Sequence, residues 1–305
     1  MEYTIEKVKS NSSVCPVCGG SGRLAYHAVA GEKMPQYNYY KCEDCGTIYI
    51  QTDILDMMDC GHQLIEYKEE YWKMEHDSAI DRCYGANLAR LAEAIYYCQI
   101  PIHKCLDIGA GGGYLLDALL GYLPTKEDAF WAIEKYPPKE EWRTKSPHYI
   151  IGKYSALREH QFECGICVEV VEHLTPKMLV EIFSEVAKAS VPGSLYLLNF
   201  GFASYVADEG QEQYLDPFVR GHIMSYSVRG LQALLEPLKF QVLPIRGKSW
   251  CIAIEYREET DVRFGGEDIT DRIWSALPEN LALLEDPIMG SALKVLGLES
   301  VRAYL

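Results

Sequence analysis

Basic residues are scarce in this chain: 29 Lys and Arg stand against 44 Asp and Glu, for a net charge of −15. There is no basic run and no Lys/Arg-rich arm. Nucleic-acid binding depends on clustered cations that neutralise phosphate, so the composition argues against a nucleic-acid partner. The same acidity gives no electrostatic attraction to an anionic membrane surface. Long apolar runs are missing too. None approaches the roughly 18 residues of a membrane span. The segment from Met1 to Ser10 is charged and lacks the apolar stretch of a secretory leader. Internal repeats and low-complexity tracts are absent. Cysteine is not: 11 of them without a leader predict a reducing, cytoplasmic setting, where thiols bind metal or stay buried.

What is present supports a packed α/β protein. A chain of 305 residues, 48% hydrophobic, holds one domain of about 150–200 residues and a smaller partner. Four segments are expected: a cysteine-rich module over 1–65, a helical linker over 66–103, an α/β domain over 104–258 and an acidic helical extension over 259–305. From Lys104 onward, short apolar runs alternate with helical stretches, the pattern of a parallel sheet covered on both faces. The last two runs, Phe240 to Ile245 and Trp250 to Tyr256, are too close for a crossover and predict a hairpin with an antiparallel strand. In the extension, Trp274, Leu277, Leu281 and Leu284 are spaced to form one apolar helical face.

The first module carries Cys15-Pro-Val-Cys18-Gly and Cys42-Glu-Asp-Cys45-Gly. Two thiolates three residues apart in a tight turn reach one tetrahedral ion, and two such pairs complete a zinc ribbon. The Gly after each pair permits a left-handed turn, so that backbone N–H groups point at sulfur. Four cysteines close the coordination sphere, which predicts a structural or docking role for the zinc.

A second motif opens the α/β segment. Asp107-Ile108-Gly109-Ala110-Gly111-Gly112-Gly113 follows an expected strand and precedes an expected helix, in the pattern DxGxGxG. The glycines let the chain turn sharply and let a ligand approach. The Asp at the strand end disfavours a pyrophosphate and suits a ligand bearing an ammonium and a sulfonium. Glu134 ends the next strand, 21 residues beyond Gly113, where a carboxylate can accept hydrogen bonds from both ribose hydroxyls.

With these motifs, residues 104–256 resemble the class I S-adenosylmethionine-dependent methyltransferases. Two further segments carry the resemblance. Glu169-Val-Val-Glu172-His173-Leu174 is similar to the fourth-strand motif E-x-x-E-H-L, and His222-Ile-Met-Ser-Tyr226-Ser227 with Leu231 is similar to the late H-x-x-x-[FY]-[ST]-x-x-x-L segment. The resemblance implies a Rossmann-like seven-stranded sheet with one antiparallel strand and S-adenosylmethionine as cofactor. It places Asp107, Gly109, Gly111 and Gly113 at the methionine end, Glu134 at the ribose and Glu169 among the cofactor contacts. The acid that usually meets the adenine after the third strand is missing from Gly152-Lys153-Tyr154-Ser155, leaving Tyr154 or Ser155 for that contact. A four-cysteine ribbon joined to such a domain also resembles methyltransferases of sugar and glycan pathways. As a set, Glu169, Glu172, His173 and His222 resemble the divalent-metal ligands of small-RNA 2′-O-methyltransferases, which implies an ion that polarises a hydroxyl nucleophile.

Methyl transfer is an in-line displacement at a sulfonium, so the protein must align the nucleophile and accept any proton it carries. His173 and His222 are the expected catalytic residues, because unperturbed imidazole titrates near neutral pH. The expected acceptor is a small molecule. The competing readings are a protein- or RNA-directed methyltransferase that docks through its ribbon, and a non-catalytic adaptor with a vestigial cofactor fold. For a protein partner, the ribbon and the C-terminal extension are the candidate surfaces.

Overall fold

The computed structural model describes residues 3–7, 12–31, 35–65, 68–257 and 268–303. An antiparallel sheet comes first: β1 (Thr4–Lys7), β2 (Ser12–Val14), β3 (Ser21–Val29), β4 (Gln36–Cys42) and β5 (Ile48–Ile50). Along β3, buried Leu24, Tyr26 and Ala28 alternate with more exposed residues, as the two-residue period of a strand requires. In β5, Ile48, Tyr49 and Ile50 are all buried. Three helices follow, α1 (Thr52–Asp59), α2 (Glu69–Arg82) and α3 (Leu88–Tyr97), with a π-helical turn over Cys83–Asn87 between the last two.

The second sheet uses β6 (Cys105–Ile108), β7 (Phe130–Glu134), β8 (Tyr149–Ile151), β9 (Phe162–Val168) and β10 (Ser190–Asn199), with α4 (Tyr114–Tyr122) and α5 (Pro176–Lys188) as crossovers. After α6 (Ala203–Ala207) come β11 (Met224–Ser225), α7 (Val228–Leu235), β12 (Phe240–Pro244) and β13 (Cys251–Tyr256). The strand order is β12-β13-β10-β9-β6-β7-β8. Neighbours from β10 to β8 are parallel, and β13 is antiparallel to both β10 and β12. This is the expected Rossmann-like seven-stranded sheet with one reversed strand. The chain leaves β6 toward β7 and β8, then returns to place β9 on the other side of β6. Such a switch point opens a crevice beyond the strands' C-terminal ends, the place where α/β sheets bind ligands.

Alternate residues of β6 face opposite cores. Leu106 and Ile108 join a cluster that includes ribbon residues Tyr39, Ile48 and Tyr49 together with Phe183 and Leu231. Cys105 joins the cluster on the other face, with α3, α4 and the C-terminal segment. Cys164 and Cys167 are fully buried strand residues, packed one in each cluster. The ribbon sheet gains its last strand from far along the chain: β11 pairs with β5, Met224 opposite Tyr49 and Ser225 opposite Ile48.

In β9 the buried Glu163 carboxylate accepts the His103 and Lys104 N–H groups ahead of β6. One sequence expectation is corrected. The apolar face through Trp274 does not form: Trp274 is 78% exposed, and of the four expected residues only Leu284 is buried. Here Pro278 holds Leu277 extended (φ −71°, ψ 128°), so a 3₁₀ stretch, Ile269–Ser275, is followed by α8 (Pro278–Leu281) rather than by one continuous helix. The chain ends in α9 (Ala292–Arg302), which packs its Gly297 against Tyr96 and Ala92 of α3. The acidic stretch 258–267 lies outside the described residues.

Candidate active site

Asp107 is the last but one residue of β6 and is 7% exposed. Burial, and then the charge of Glu134, raise its carboxyl to about 7. Among the described residues no hydrogen bond reaches it, so it is a buried acceptor in want of a cation or donor. The glycine turn begins two residues later, held by the Gly109 and Ala110 N–H groups donating to the Ile133 carbonyl at 2.9 and 3.1 Å. A side chain at Gly109 would strike Val170. Gly111 has φ +56°, and a side chain there would meet no protein atom within 4 Å, so this turn is open on the ligand side. Gly113 is the N-cap of α4.

Glu134 closes β7 beside this turn. Its Oε2 accepts the Gly111 N–H at 2.9 Å and its Oε1 the Tyr136 N–H at 2.8 Å. Each carboxylate oxygen can accept a second hydrogen bond, so the pair remains able to hold a diol while its own position is fixed by backbone. Tyr154, which follows β8, is buried, and its hydroxyl is raised first by burial and then by the charge of Glu134. Ser155 is exposed. A ligand of S-adenosylmethionine type fits these groups: a partnerless carboxylate for its cationic end, an open glycine turn, and a fixed carboxylate for its ribose.

On the other side of the crevice the chain brings Glu169, Glu172, His173 and His222 together, with different parts for each. Glu169 follows β9 in the left-handed region (φ 54°), a strained setting for a non-glycine residue. Its carboxylate is exposed and accepts from Asn199 Nδ2 at 3.2 Å. Glu172 is fully buried. Its Oε1 accepts from the Tyr214 hydroxyl at 2.9 Å and lies 3.8 Å from His222 Nε2, while its Oε2 has no hydrogen-bond partner. Burial, and next the charge of Glu169, push the Glu172 carboxyl well above the usual range. His173 Nδ1 sits 3.2 Å from the Gly221 carbonyl and His222 Nδ1 sits 2.7 Å from the Tyr214 carbonyl. A carbonyl only accepts, so both imidazoles carry their proton on Nδ1 and present a lone pair at Nε2. Burial lowers His173 to about 4; burial and then His173 lower His222 well below its ordinary value.

One ligand atom each from Glu172, His173 and His222 lies within 4.8 Å of the others. A carboxylate oxygen without a partner and two outward lone pairs suit a divalent ion. Glu169, the fourth member of the expected set, is engaged with Asn199. Sequence reasoning missed Tyr214 and Asn199. Asn199 ends β10 at the crevice, and the strand-end rule points to it; Tyr214 lies 42 residues from its partner Glu172, with no local spacing to betray it.

The four cysteines converge as expected. The Cys15 and Cys45 sulfurs are 3.8 Å apart, those of Cys18 and Cys42 are 3.5 Å apart, and all four lie within 4.8 Å of one another. A tetrahedral zinc with bonds of about 2.3 Å spaces its sulfurs by about 3.8 Å, so the residues fit zinc. Gly19 and Gly46 take left-handed φ values of 74° and 81°, and the Cys45 N–H points at Cys42 Sγ at 3.4 Å. Cys60 is exposed and stands apart from the cluster.

No family model matches the chain, and no curated protein matches it. Solved structures do. The mitomycin 7-O-methyltransferase is 18% identical over 67% of this chain and 62% of its own, with a TM-score of 0.48. An N,N-8-amino-8-demethyl-D-riboflavin dimethyltransferase from Streptomyces davawensis is 15% identical over 67% of this chain and 64% of its own, with a TM-score of 0.47. An O-methyltransferase family protein from Burkholderia thailandensis is 11% identical over 69% of this chain and 70% of its own, with a TM-score of 0.47. This chain thus spans less than two thirds of the length of the first two.

Proposed function

We propose that this protein transfers a methyl group from S-adenosylmethionine to a small-molecule acceptor. The observation that carries the reading is Asp107: a buried carboxylate without a partner, at the switch point of the sheet and at the foot of an open glycine turn. The cofactor supplies a methyl group already activated on a sulfonium. Asp107 takes its cationic end, Glu134 its ribose hydroxyls, and Tyr154 lies where the adenosine is expected. Glu169 and Asn199 present a polar rim suited to an acceptor rich in hydroxyls, consistent with a sugar or another glycan-pathway metabolite. In this reading a histidine Nε2, on His173 or His222, accepts a hydrogen bond from the acceptor and orients it; burial makes both imidazoles weaker bases than the sequence led one to expect, so the proton passes on to solvent.

A second reading of the same histidines is favoured by the unpartnered Oε2 of Glu172. Glu172, His173 and His222 would hold a divalent ion whose contribution is to polarise an acceptor hydroxyl. The zinc of the ribbon is structural in both readings.

The test is incubation of the full chain with methyl-labelled S-adenosylmethionine and separate pools of nucleotide sugars, peptides and RNA, with and without added divalent metal. Label in a small molecule supports the proposal, and its dependence on metal selects the second reading of the histidines. Label confined to peptide or RNA moves the assignment to the ribbon-docked alternative. Cofactor binding without transfer to any pool leaves the adaptor.

A further inference from the structure

The ribbon touches the site along two stretches: residues 212–218, where Lys7 pairs with Glu212 at 2.6 Å and the Tyr3 and Tyr37 rings pack on Phe218, and residues 222–227, which are bonded to it through backbone. Tyr39 of β4 is fully buried and its hydroxyl donates to the His222 carbonyl at 2.6 Å. The next residue, Ile223, lends its carbonyl to the Ile50 N–H at 2.9 Å and its N–H to the Glu172 carbonyl at 2.9 Å. Met224 and Ser225 form β11 on the ribbon's β5. Tyr226 donates its hydroxyl to the Leu174 carbonyl at 2.8 Å. At the far end, Ser227, the N-cap of α7, donates its hydroxyl to the carbonyl of Cys45 at 2.5 Å, and its N–H reaches Thr47 Oγ1 at 3.2 Å. One strand of backbone therefore runs from a cysteine of the zinc cluster to the histidine beside Glu172. It is bonded to the ribbon on one side and to the Glu172–Leu174 turn on the other.

We propose that the zinc ribbon is the positioning device of the acceptor side of the crevice, with Tyr39 as its positioning residue. The cofactor side is built differently: Asp107, the glycine turn and Glu134 hang on β6, β7 and the loop through Thr144, and among the described residues none of them hydrogen-bonds to the ribbon. Zinc loading then fixes His222 and Glu172 while leaving the cofactor groups as they are. The inference goes beyond the proposed activity and does not need it, because it concerns order in the segment and not turnover.

Hydrogen exchange of the full chain tests it in three forms: zinc-loaded, zinc-stripped by chelator, and zinc-loaded Tyr39→Phe. Tyr39→Phe removes only the hydroxyl on the His222 carbonyl and keeps all four cysteines, so it remains informative if the stripped protein unfolds. The expected result is full zinc content in the variant, exchange about tenfold faster across 221–226, the loss expected from one buried hydrogen bond, and unchanged exchange across 105–108 and 130–134. Stripping zinc is expected to enlarge the same local effect. Exchange across 221–226 that is unaltered in Tyr39→Phe, or that rises equally in 105–108, overturns the proposal. Cofactor affinity measured on the same variant separates this outcome from failure of the methyltransferase reading, since it is expected to stay at the parent value.

Discussion

Asp107 is a carboxylate kept at a cost until a cation arrives. Its ordinary value near 3.8 is raised to about 7 by burial and by Glu134. Between those two values the folded apoprotein holds a proton that the unfolded chain has released, so apoprotein stability falls as pH rises from about 4 to 7 and is flat above. Asp107→Asn removes this cost. At pH 8 the variant is expected to resist urea better than the parent, by on the order of a few kcal/mol, with the difference closing toward pH 4. Cofactor binding runs the other way: the ligand needs the ionised form, so parental affinity is expected to weaken below about pH 7, by up to tenfold per unit. Calorimetric dissociation constants at pH 8 and pH 6 check this, and equal values contradict it. At this scale the sequence placed Asp107 and Glu134 at strand ends and Gly109 in a left-handed turn, as the structure has them, because each sits in a short local motif. It was not readable for Tyr214, whose part depends on a contact made only by folding.

Among the elements, the C-terminal segment shows how a few polar contacts dock a stretch that has little regular structure. Asn280 is fully buried. Its Oδ1 accepts the Ile102 N–H at 2.9 Å, and its Nδ2 donates to the Cys98 and Ile100 carbonyls at 3.1 and 2.9 Å. Asn280→Ala strands all three backbone groups and is expected to cost about 2–4 kcal/mol, read as a lower urea midpoint at unchanged slope. An unchanged midpoint would mean that the segment contributes nothing to the fold. The strands of the large sheet were legible because buried parallel strands are continuous apolar runs. Helix α7 starts where Ser227 accepts the Gly230 N–H as its cap. The two-residue strand β11 was not legible, since its pairing with β5 is set by a ribbon 174 or more residues away rather than by its own sequence. The helix expected across Trp274 failed because apolar spacing was counted through Pro278.

As a whole, the molecule places a sheet between two cores and puts its ribbon on the side of the crevice that carries Glu172, His173 and His222. Among the described residues no helix is long and apolar enough to cross a membrane. The excess of 44 acidic over 29 basic side chains favours the approach of a cationic ligand over an anionic one. The order of motifs carried the fold class, because strand, glycine turn, helix and second acidic strand occur in one sequence that few sheets accommodate. The acceptor was not legible, since fold does not fix substrate and the groups around it come from four separate stretches of chain.

The central claim is that the glycine turn and Asp107 bind S-adenosylmethionine. Calorimetric titration of the zinc-loaded chain with S-adenosylmethionine and S-adenosylhomocysteine, beside Asp107→Ala, tests it most directly. The account predicts micromolar binding of both ligands by the parent and a loss of at least about tenfold in the variant, the scale of one buried charge-assisted contact. A parent protein that is folded and zinc-loaded yet binds neither ligand would contradict it.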